Sequence, residues 1–449
     1  MRLEELCTRR VAVWGLGQEG RATTRLLADH GVEPLLIDDR TLEAARGLDA
    51  SLGRGHRVVA PAAVDWTEVD VVVRAPGVSR YRPELEEAKG SGVAVTTAMA
   101  MWFEDFSDAR VVAVTGTKGK STTATLASAI LRHGGLDVAL IGNIGVPAAA
   151  MYGRPHVDAY VVEVSSFQAA EVALTPGVCV LTSLAPDHLD WHRTEEAYYR
   201  DKLRLIDVGP PGALAVNAGS DEALRRTAGH PDRTLFGPSG RVRVGTTGAI
   251  EADGVHLVDG GLLRAPGQHN LWNLCGAVAG ALLLIGVPPA ASAVEAAVAG
   301  FAGLPSRCLT VGERNGLIFV DDALASNPYA TVASIGAFAG RELTVILGGA
   351  DRGVDPSDLV QALTLRRPLP KVVVLPPGPE RLVEALGPAV PIEVAADLAG
   401  AVAAAMVMTP PGGVVLFSPA APTPTGEGGF SERSRLFVEA IGLARTEQP

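Results

Sequence analysis

Three times along the chain, a short apolar run leads into a glycine-rich turn and then into apolar positions at helical spacing. The runs are VAVWGLGQEG at Val11–Gly20, VVAVTGTKGKST at Val111–Thr122 and LTVILGGADRG at Leu343–Gly353. Short apolar runs alternating with helical segments predict an α/β protein whose parallel sheets are covered by helices. Composition shifts place boundaries near residues 107, after FEDFSDA, and 301, before FAGLPSR. Leu274–Val294 carries no charge, but it is rich in Ala and Gly and is interrupted by Gly286 and Pro288-Pro289. Two packed helices suit it better than one membrane span.

Composition agrees with a folded, multidomain protein. The chain has 449 residues, 47% hydrophobic and 20% charged, which at about 150 residues per domain points to three domains. Lys plus Arg is 39 against 50 for Asp plus Glu, a net charge of −11, and no basic run stands out. A nucleic-acid binder needs cations to displace phosphate counterions, so that class is disfavoured. Cys7, Cys179, Cys275 and Cys308 form no CxxC pair and indicate neither a zinc site nor a disulfide framework. The opening MRLEELCTRRVAVWG has acidic residues where a signal peptide carries a basic stretch, so a cytoplasmic location is expected.

The segment Gly116-Thr117-Lys118-Gly119-Lys120-Ser121-Thr122 lies between an apolar run and a helical pattern. A strand, a glycine turn and a helix start gather several backbone N–H groups and the positive helix end at one point, which suits a triphosphate. Lys120 is then expected on the β- and γ-phosphates and the Ser121 hydroxyl on Mg²⁺. Downstream, VVEVSSFQ ends an apolar run at Glu163, and VCVLTS is followed by Asp187, His188 and Asp190. Ligands in open α/β sheets collect at strand C-termini, so Glu163 is placed to hold a hard cation. His188 suits metal or phosphate, with Asp187 and Asp190 behind it. Lys202, in YYRDKLRLI, reads by its own spacing as a solvated helix lysine. At the N-terminus, Gly15, Gly17 and Gly20 spell GxGxxG with Asp38-Asp39 about 20 residues on, a fingerprint that by itself suggests NAD. No second feature supports hydride chemistry.

Taken in order, TGTKGKST, IGNIG, EVSSFQ, DHLDWH, YYRDK, GQHNLWN, GLPSR, GGADRG and FSPAAPT span nearly the whole chain. Together they resemble the Mur ligase family, in particular its MurD-type branch, which adds glutamate to UDP-N-acetylmuramoyl-L-alanine in peptidoglycan synthesis. The resemblance implies a Rossmann-like UDP-substrate domain (1–107), a central P-loop ATPase domain (108–300) and a Rossmann-like glutamate domain (301–449) that closes over the site. It implies ATP and Mg²⁺ as cofactors, a monomer, and no nucleic-acid or membrane partner. It puts Lys120, Glu163, His188, Lys202 and Arg307 at the reaction. Glu163, His188 and Ser121 hold metal, with a carbamylated Lys202 serving a second Mg²⁺. Asn270 and Asn273 sit by adenine, Asp322 by the ribose and Arg307 on the γ-phosphate. The UDP substrate is met by Gly15, Gly17, Gln18, Asp39, Arg40, Ala75, Pro76, Gly77, Asn143 and His188, so the GxGxxG turn cradles a UDP diphosphate instead of NAD.

The chain departs from that pattern around the amino acid. In DALASN, Leu324 stands where D-glutamate-adding enzymes carry a lysine, and Ser306 replaces the histidine of GLPHR. Arg352, Thr423 and Phe430 remain as glutamate-side groups. A lost charge-assisted contact costs about 1.5–3 kcal/mol if nothing replaces it. WGLGQEGR, APGVSRYRPE and DDALASNPYAT are closer to the L-glutamate-adding branch, whose product a separate epimerase later inverts. L-glutamate is therefore expected. The alternatives are a D-glutamate enzyme, a folylpolyglutamate synthase-like ligase, or a nucleotide-binding protein without activity.

Overall fold

The computed structural model describes residues 1–40, 58–210, 212–350, 353–377, 380–424 and 428–442. Each apolar restart forms a strand buried along its length: Val11–Trp14, Val111–Thr115 and Leu343–Leu347. The glycine turns after the first two lead directly into the helices Gln18–Asp29 and Lys120–His133. After the third, the helix starts later, at Ser357.

The described strands make three sheets. Strands β1 (Val11–Trp14), β2 (Leu35–Ile37), β3 (Val58–Val59), β4 (Val71–Arg74) and β5 (Ala94–Thr96) lie in the order β3-β2-β1-β4-β5, all parallel. The next strands are β6 (Val111–Thr115), β7 (Val138–Gly142), β8 (Ala159–Glu163), β9 (Val178–Leu181), β10 (Ala213–Asn217), β11 (Arg233–Gly237), β12 (Val242–Val244), β13 (Ala249–Ala252) and β14 (Val255–Asp259). They run β14-β13-β12-β11-β10-β9-β6-β8-β7, parallel from β12 to β7 and finished by an antiparallel hairpin. The third sheet orders β15 (Leu309–Arg314), β16 (Leu317–Asp321), β17 (Leu343–Leu347), β18 (Lys371–Val374), β19 (Ile392–Val394) and β20 (Val414–Phe417) as β15-β16-β20-β17-β18-β19, antiparallel only at β15. This is the α/β architecture that the apolar runs predict.

Two compact units result: Met1–Gly260 with Trp272–Ala297, and Gly261–Leu271 with Val298–Pro449. The first carries the first two sheets and the second carries the third. The uncharged stretch forms the helices Gln268–Ile285 and Ala291–Gly300, divided at the Gly and Pro positions. Its small residues have a packing reason. A Cβ on Gly280 would stand 2.9 Å from Val180 Cγ2 and 3.0 Å from Val112 Cγ1, so glycine lets this helix lie close on the sheet. Among the described residues, no helix is long and apolar enough to cross a membrane.

In both parallel sheets of the first unit the connections reverse beside the first strand, which leaves a crevice at the strand C-termini. The glycine turns fill these points because backbone must pass close to backbone. A Cβ on Gly20 would lie 1.9 Å from the Gly15 carbonyl oxygen, whereas one on Gly17 would meet nothing within 4 Å. Gly20→Ala is therefore expected to destabilise the first unit by about 1–3 kcal/mol. Gly17→Ala should leave stability unchanged. Denaturant unfolding of both variants checks this, and equal stabilities would contradict the packing account.

Candidate functional site

The crevice beside β1 and β4 is a cavity of about 570 Å³ lined by Gly15, Gly17, Gln18, Asp39, Arg40, Ala75, Pro76, Gly77 and Asn143. These residues come from four separate stretches of chain, and the fold brings them to one place. Gly15 takes φ +91°, where a Cβ would press on Val78 and Ala75. The open side of Gly17 leaves backbone free to approach a phosphate. Asp38 is buried and spent on structure: its carboxylate accepts from the backbone N–H groups of Leu16 (2.9 Å) and Arg40 (2.9 Å). Asp39 instead reaches the rim and pairs with both terminal nitrogens of Arg82 at 2.7 and 3.0 Å. The Arg82 guanidinium lies 4.9 Å above the Trp14 ring.

The cavity also contains residues that motif reading missed, chiefly Glu19 and Gln168. Gln168 Nε2 donates to Glu19 Oε1 at 2.7 Å. Burial raises the Glu19 carboxyl to about 7, opposed by that hydrogen bond and by the charge of Arg74. Glu19 occupies a variable position of GxGxxG, so nothing in the motif marks it.

The second crevice holds the lysine loop. Gly116 and Gly119 have positive φ, and a Cβ there would lie 2.1 Å from Thr182 Oγ1 or 2.2 Å from Asn273 Oδ1. Thr117 is tied to Ser183 O through its N–H (2.8 Å) and to Tyr198 through its hydroxyl (2.8 Å). The Lys118 N–H donates to Ser183 Oγ (2.9 Å), and its amine pairs with Asp187 at 3.4 Å. Ser121 and Thr122 begin the helix and are buried. The loop is thus held from behind by the segment after β9, and the helix start behind it supplies N–H groups and positive potential.

Two lysine amines converge on one carbonyl. Lys120 Nζ donates to Gly116 O at 2.9 Å and to Thr117 O at 3.0 Å, while Lys202 Nζ donates to the same Gly116 O at 2.8 Å. Lys202 is only 2% exposed, contrary to the solvated side chain that its helix position suggests. Its helix, Glu195–Asp207, turns this face inward with Tyr198, Asp201 and Leu205. Burial first, and then the charge of Lys120, drive Lys202 well below the ordinary lysine range, toward the neutral amine.

Glu163 ends β8 with no exposed surface. Its Oε1 accepts from Asn143 Nδ2 at 2.9 Å, whereas Oε2 is buried with no hydrogen-bond partner. An unsatisfied buried oxygen costs about 1–3 kcal/mol, more when charged, and a cation offsets that cost. The described residues contain no group of three or more His, Cys, Asp or Glu side chains able to hold a metal. The lone Glu163 oxygen suits Mg²⁺, which takes one or two carboxylates and completes its shell with phosphates and water. His188 sits in the left-handed region at φ 53°, its ring 4.8 Å from Phe167. Burial lowers it to about 4, so the imidazole is neutral.

In the second unit, Arg307 is half-buried beside Ser306 and Cys308, both at positive φ. Asp322 is buried, and its carboxylate accepts from Ser418 Oγ (2.6 Å), Ser334 Oγ (2.7 Å) and the Cys308 N–H (3.0 Å). In this arrangement it is an internal tie. Asn270 Nδ2 donates to Pro266 O at 2.7 Å, while Asn273, in the first unit, lies against Gly119. Thr423 is half-buried and Phe430 is 43% exposed. Leu324 is half-buried. Arg352 lies outside the described residues.

Comparison with known proteins converges on one family. Residues 9–97 match the Mur ligase MurD-like N-terminal domain, 114–281 the Mur ligase middle domain and 306–421 the Mur ligase glutamate ligase domain. A protein of Micromonospora sp. named UDP-N-acetylmuramoyl-L-alanine–L-glutamate ligase is 41% identical, covering 98% of both chains. One of the same name from Salinispora tropica is 41% identical over 98% of this chain and 99% of its own. Among solved structures, UDP-N-acetylmuramate-alanine ligase MurC of Thermotoga maritima aligns with TM-score 0.62 at 19% identity, over 97% of this chain and 99% of that one. MurF ligase of the same organism, in complex with ADP, gives TM-score 0.61 at 16% identity, over 97% and 98%. At such identities the likeness is one of fold. With relatives this similar over nearly its whole length, the chain belongs to the Mur ligase family.

Proposed function

We propose that this enzyme joins L-glutamate to UDP-N-acetylmuramoyl-L-alanine at the expense of ATP, in the cytoplasm, as a step of peptidoglycan precursor synthesis. The observation that carries the reading is the pairing of two crevices in one compact unit. One is a glycine-lined cavity able to take a nucleoside diphosphate, and the other is a lysine loop beside a buried carboxylate with an unsatisfied oxygen. The names of the 41% identical relatives support the substrate and the L configuration. Leu324, in place of a lysine, supports an amino-acid pocket unlike that of D-glutamate enzymes. The L-centre of the product then calls for a separate epimerase.

A carboxylate does not condense with an amine in water, because hydroxide leaves poorly. ATP overcomes this: an oxygen of the L-alanyl carboxylate attacks the γ-phosphorus, the bond to the bridging oxygen breaks, and ADP leaves. The glutamate amine then adds to the acyl phosphate carbon and loses a proton, and the tetrahedral centre expels phosphate. The first step brings two anions together and needs concentrated positive charge. Lys120 and the loop N–H groups supply it. Ser121, Glu163 and His188 would hold Mg²⁺, which neutralises phosphate charge when bound. A neutral Lys202 amine is the form that takes up CO₂, so its carbamate would add a second cation ligand. Asn143 positions Glu163 and faces the UDP cavity, so it meets the acceptor end of the substrate.

Incubating the protein with UDP-N-acetylmuramoyl-L-alanine, ATP and Mg²⁺, and offering L- or D-glutamate separately, tests the proposal through phosphate release. Turnover is expected with the L-isomer and at least about 100-fold less with Glu163→Ala. Turnover with D-glutamate alone would overturn the stereochemical assignment, and turnover only with a folate would overturn the substrate class. A second prediction concerns pH. Glu19 faces the diphosphate cavity and titrates near 7, so above that pH it is anionic and repels the substrate. KM for the UDP substrate should rise from pH 6.5 to 8.5, roughly tenfold at most, and Glu19→Gln should flatten the profile. A profile unchanged by that substitution would contradict it.

A further inference from the structure

The short turn that follows Glu163 is gripped from four directions by side chains of the N-terminal region: one on strand β4, one on the helix after β1 and two in the loop after β4. Gln168 binds Glu19. Arg74, fully buried, donates to Phe167 O at 3.0 Å and pairs with Glu171 at 3.6 Å. Arg80 donates to Ala170 O at 2.7 Å and pairs with Glu171 at 3.4 Å. The fourth grip is indirect. Tyr81 Oη donates to Asp201 Oδ2 at 2.7 Å, His192 Nδ1 shares that oxygen at 2.8 Å, and His192 Nε2 meets Ser166 Oγ at 2.9 Å.

Asp201, His192 and Ser166 reproduce the geometry of an acid–histidine–serine triad. They are 1%, 0% and 2% exposed, so no substrate reaches the serine, and the chain of bonds serves to hold rather than to react. With Nδ1–H donated to Asp201, His192 Nε2 accepts the Ser166 hydroxyl proton. Ser166 opens the turn, whose capping box of Ser165 and Gln168 leaves it little freedom.

Asp201 precedes Lys202 on one helix. The N-terminal region therefore touches both ends of the phosphate site: Glu163 through the turn, and Lys202 through Asp201. The UDP cavity touches the same elements, because Glu19, Gln168 and Asn143 line it and Asn143 is bonded to Glu163. Resting on the function proposed above, we infer that the 165–171 turn couples occupation of the UDP-substrate cavity to the shape of the ATP site, with Asp201 as the positioning residue of that coupling. The ligands concerned are a nucleoside diphosphate-sugar on one side and a nucleoside triphosphate on the other. The reciprocity of linkage requires each to tighten the other by one common factor.

Calorimetric titration of the full chain with a non-hydrolysable ATP analogue and Mg²⁺, with and without saturating UDP-N-acetylmuramoyl-L-alanine, measures that factor. We expect at least about fivefold tighter analogue binding in the ternary complex. Asp201→Asn should bring the ratio to within about twofold of one. Tyr81→Phe, which keeps the ring against Trp191 (5.9 Å) and removes the hydroxyl's bonds to Asp201 and from Arg200, should lower it part-way. A merely structural Asp201 would weaken either ligand alone and leave the ratio intact. Retention of the wild-type ratio in Asp201→Asn overturns the inference, as does a wild-type ratio of one with both ligands bound. If thermal melting shows Asp201→Asn unfolded, the Tyr81→Phe ratio decides: a fall supports the coupling and no change overturns it. Failure of the wild-type chain to bind either ligand would instead remove the functional proposal, and the inference with it.

Discussion

Charge crowding at the Gly116 carbonyl governs this molecule. Two lysine amines donate to that one oxygen, and two buried ammonium ions so close would repel each other strongly at low dielectric. The conflict resolves by driving Lys202 toward its neutral form, through burial first and the charge of Lys120 second. Beside them, Glu163 holds a carboxylate oxygen that no protein donor satisfies. The site thus joins a lysine placed for phosphates, an amine driven toward neutrality and a buried carboxylate oxygen without a protein donor. Each departure from ordinary pairing costs stability, and the surrounding core of Tyr160, Val162, Leu181 and Tyr198 sustains it.

The two sheets of the first unit solve one steric problem twice. A phosphate must meet several backbone N–H groups at a helix start, so backbone has to approach it without side chains in the way. Gly15 and Gly20 are closed in by neighbouring backbone and side chains, while Gly17 faces open space. Gly116 and Gly119 are closed in likewise by Thr182 and Asn273. Packing thus explains one set of glycines and access to a ligand explains the other, although both look alike in a motif.

That distinction marks what was legible beforehand. The strand–turn–helix restarts announce themselves through local apolar period and glycine spacing, so the α/β class and the two crevices could be read directly. Glu163 was legible because it stands at the end of an apolar run. Lys202 was not: its burial comes from the packing of Tyr198 and Leu205 around it, which helix spacing alone does not reveal. Glu19, Gln168 and the Asp201–His192–Ser166 chain were hidden for a related reason. Glu19 and Gln168 lie 149 residues apart and meet only where the two sheets approach, while His192 finds Asp201 and Ser166, 9 and 26 residues away, through the packing of the second sheet's own connections. Asp322, expected on a ribose, is bonded to two serine hydroxyls and a backbone N–H, contacts that likewise appear only in three dimensions.

If gathered positive charge lets a phosphoryl group meet a carboxylate, an oxygen atom must pass between them. The direct test is to label both oxygens of the L-alanyl carboxylate with a heavy isotope and to analyse the phosphate released during turnover with L-glutamate by mass spectrometry. Phosphate carrying one labelled oxygen is the predicted result. Unlabelled phosphate alongside normal amide formation would contradict the account.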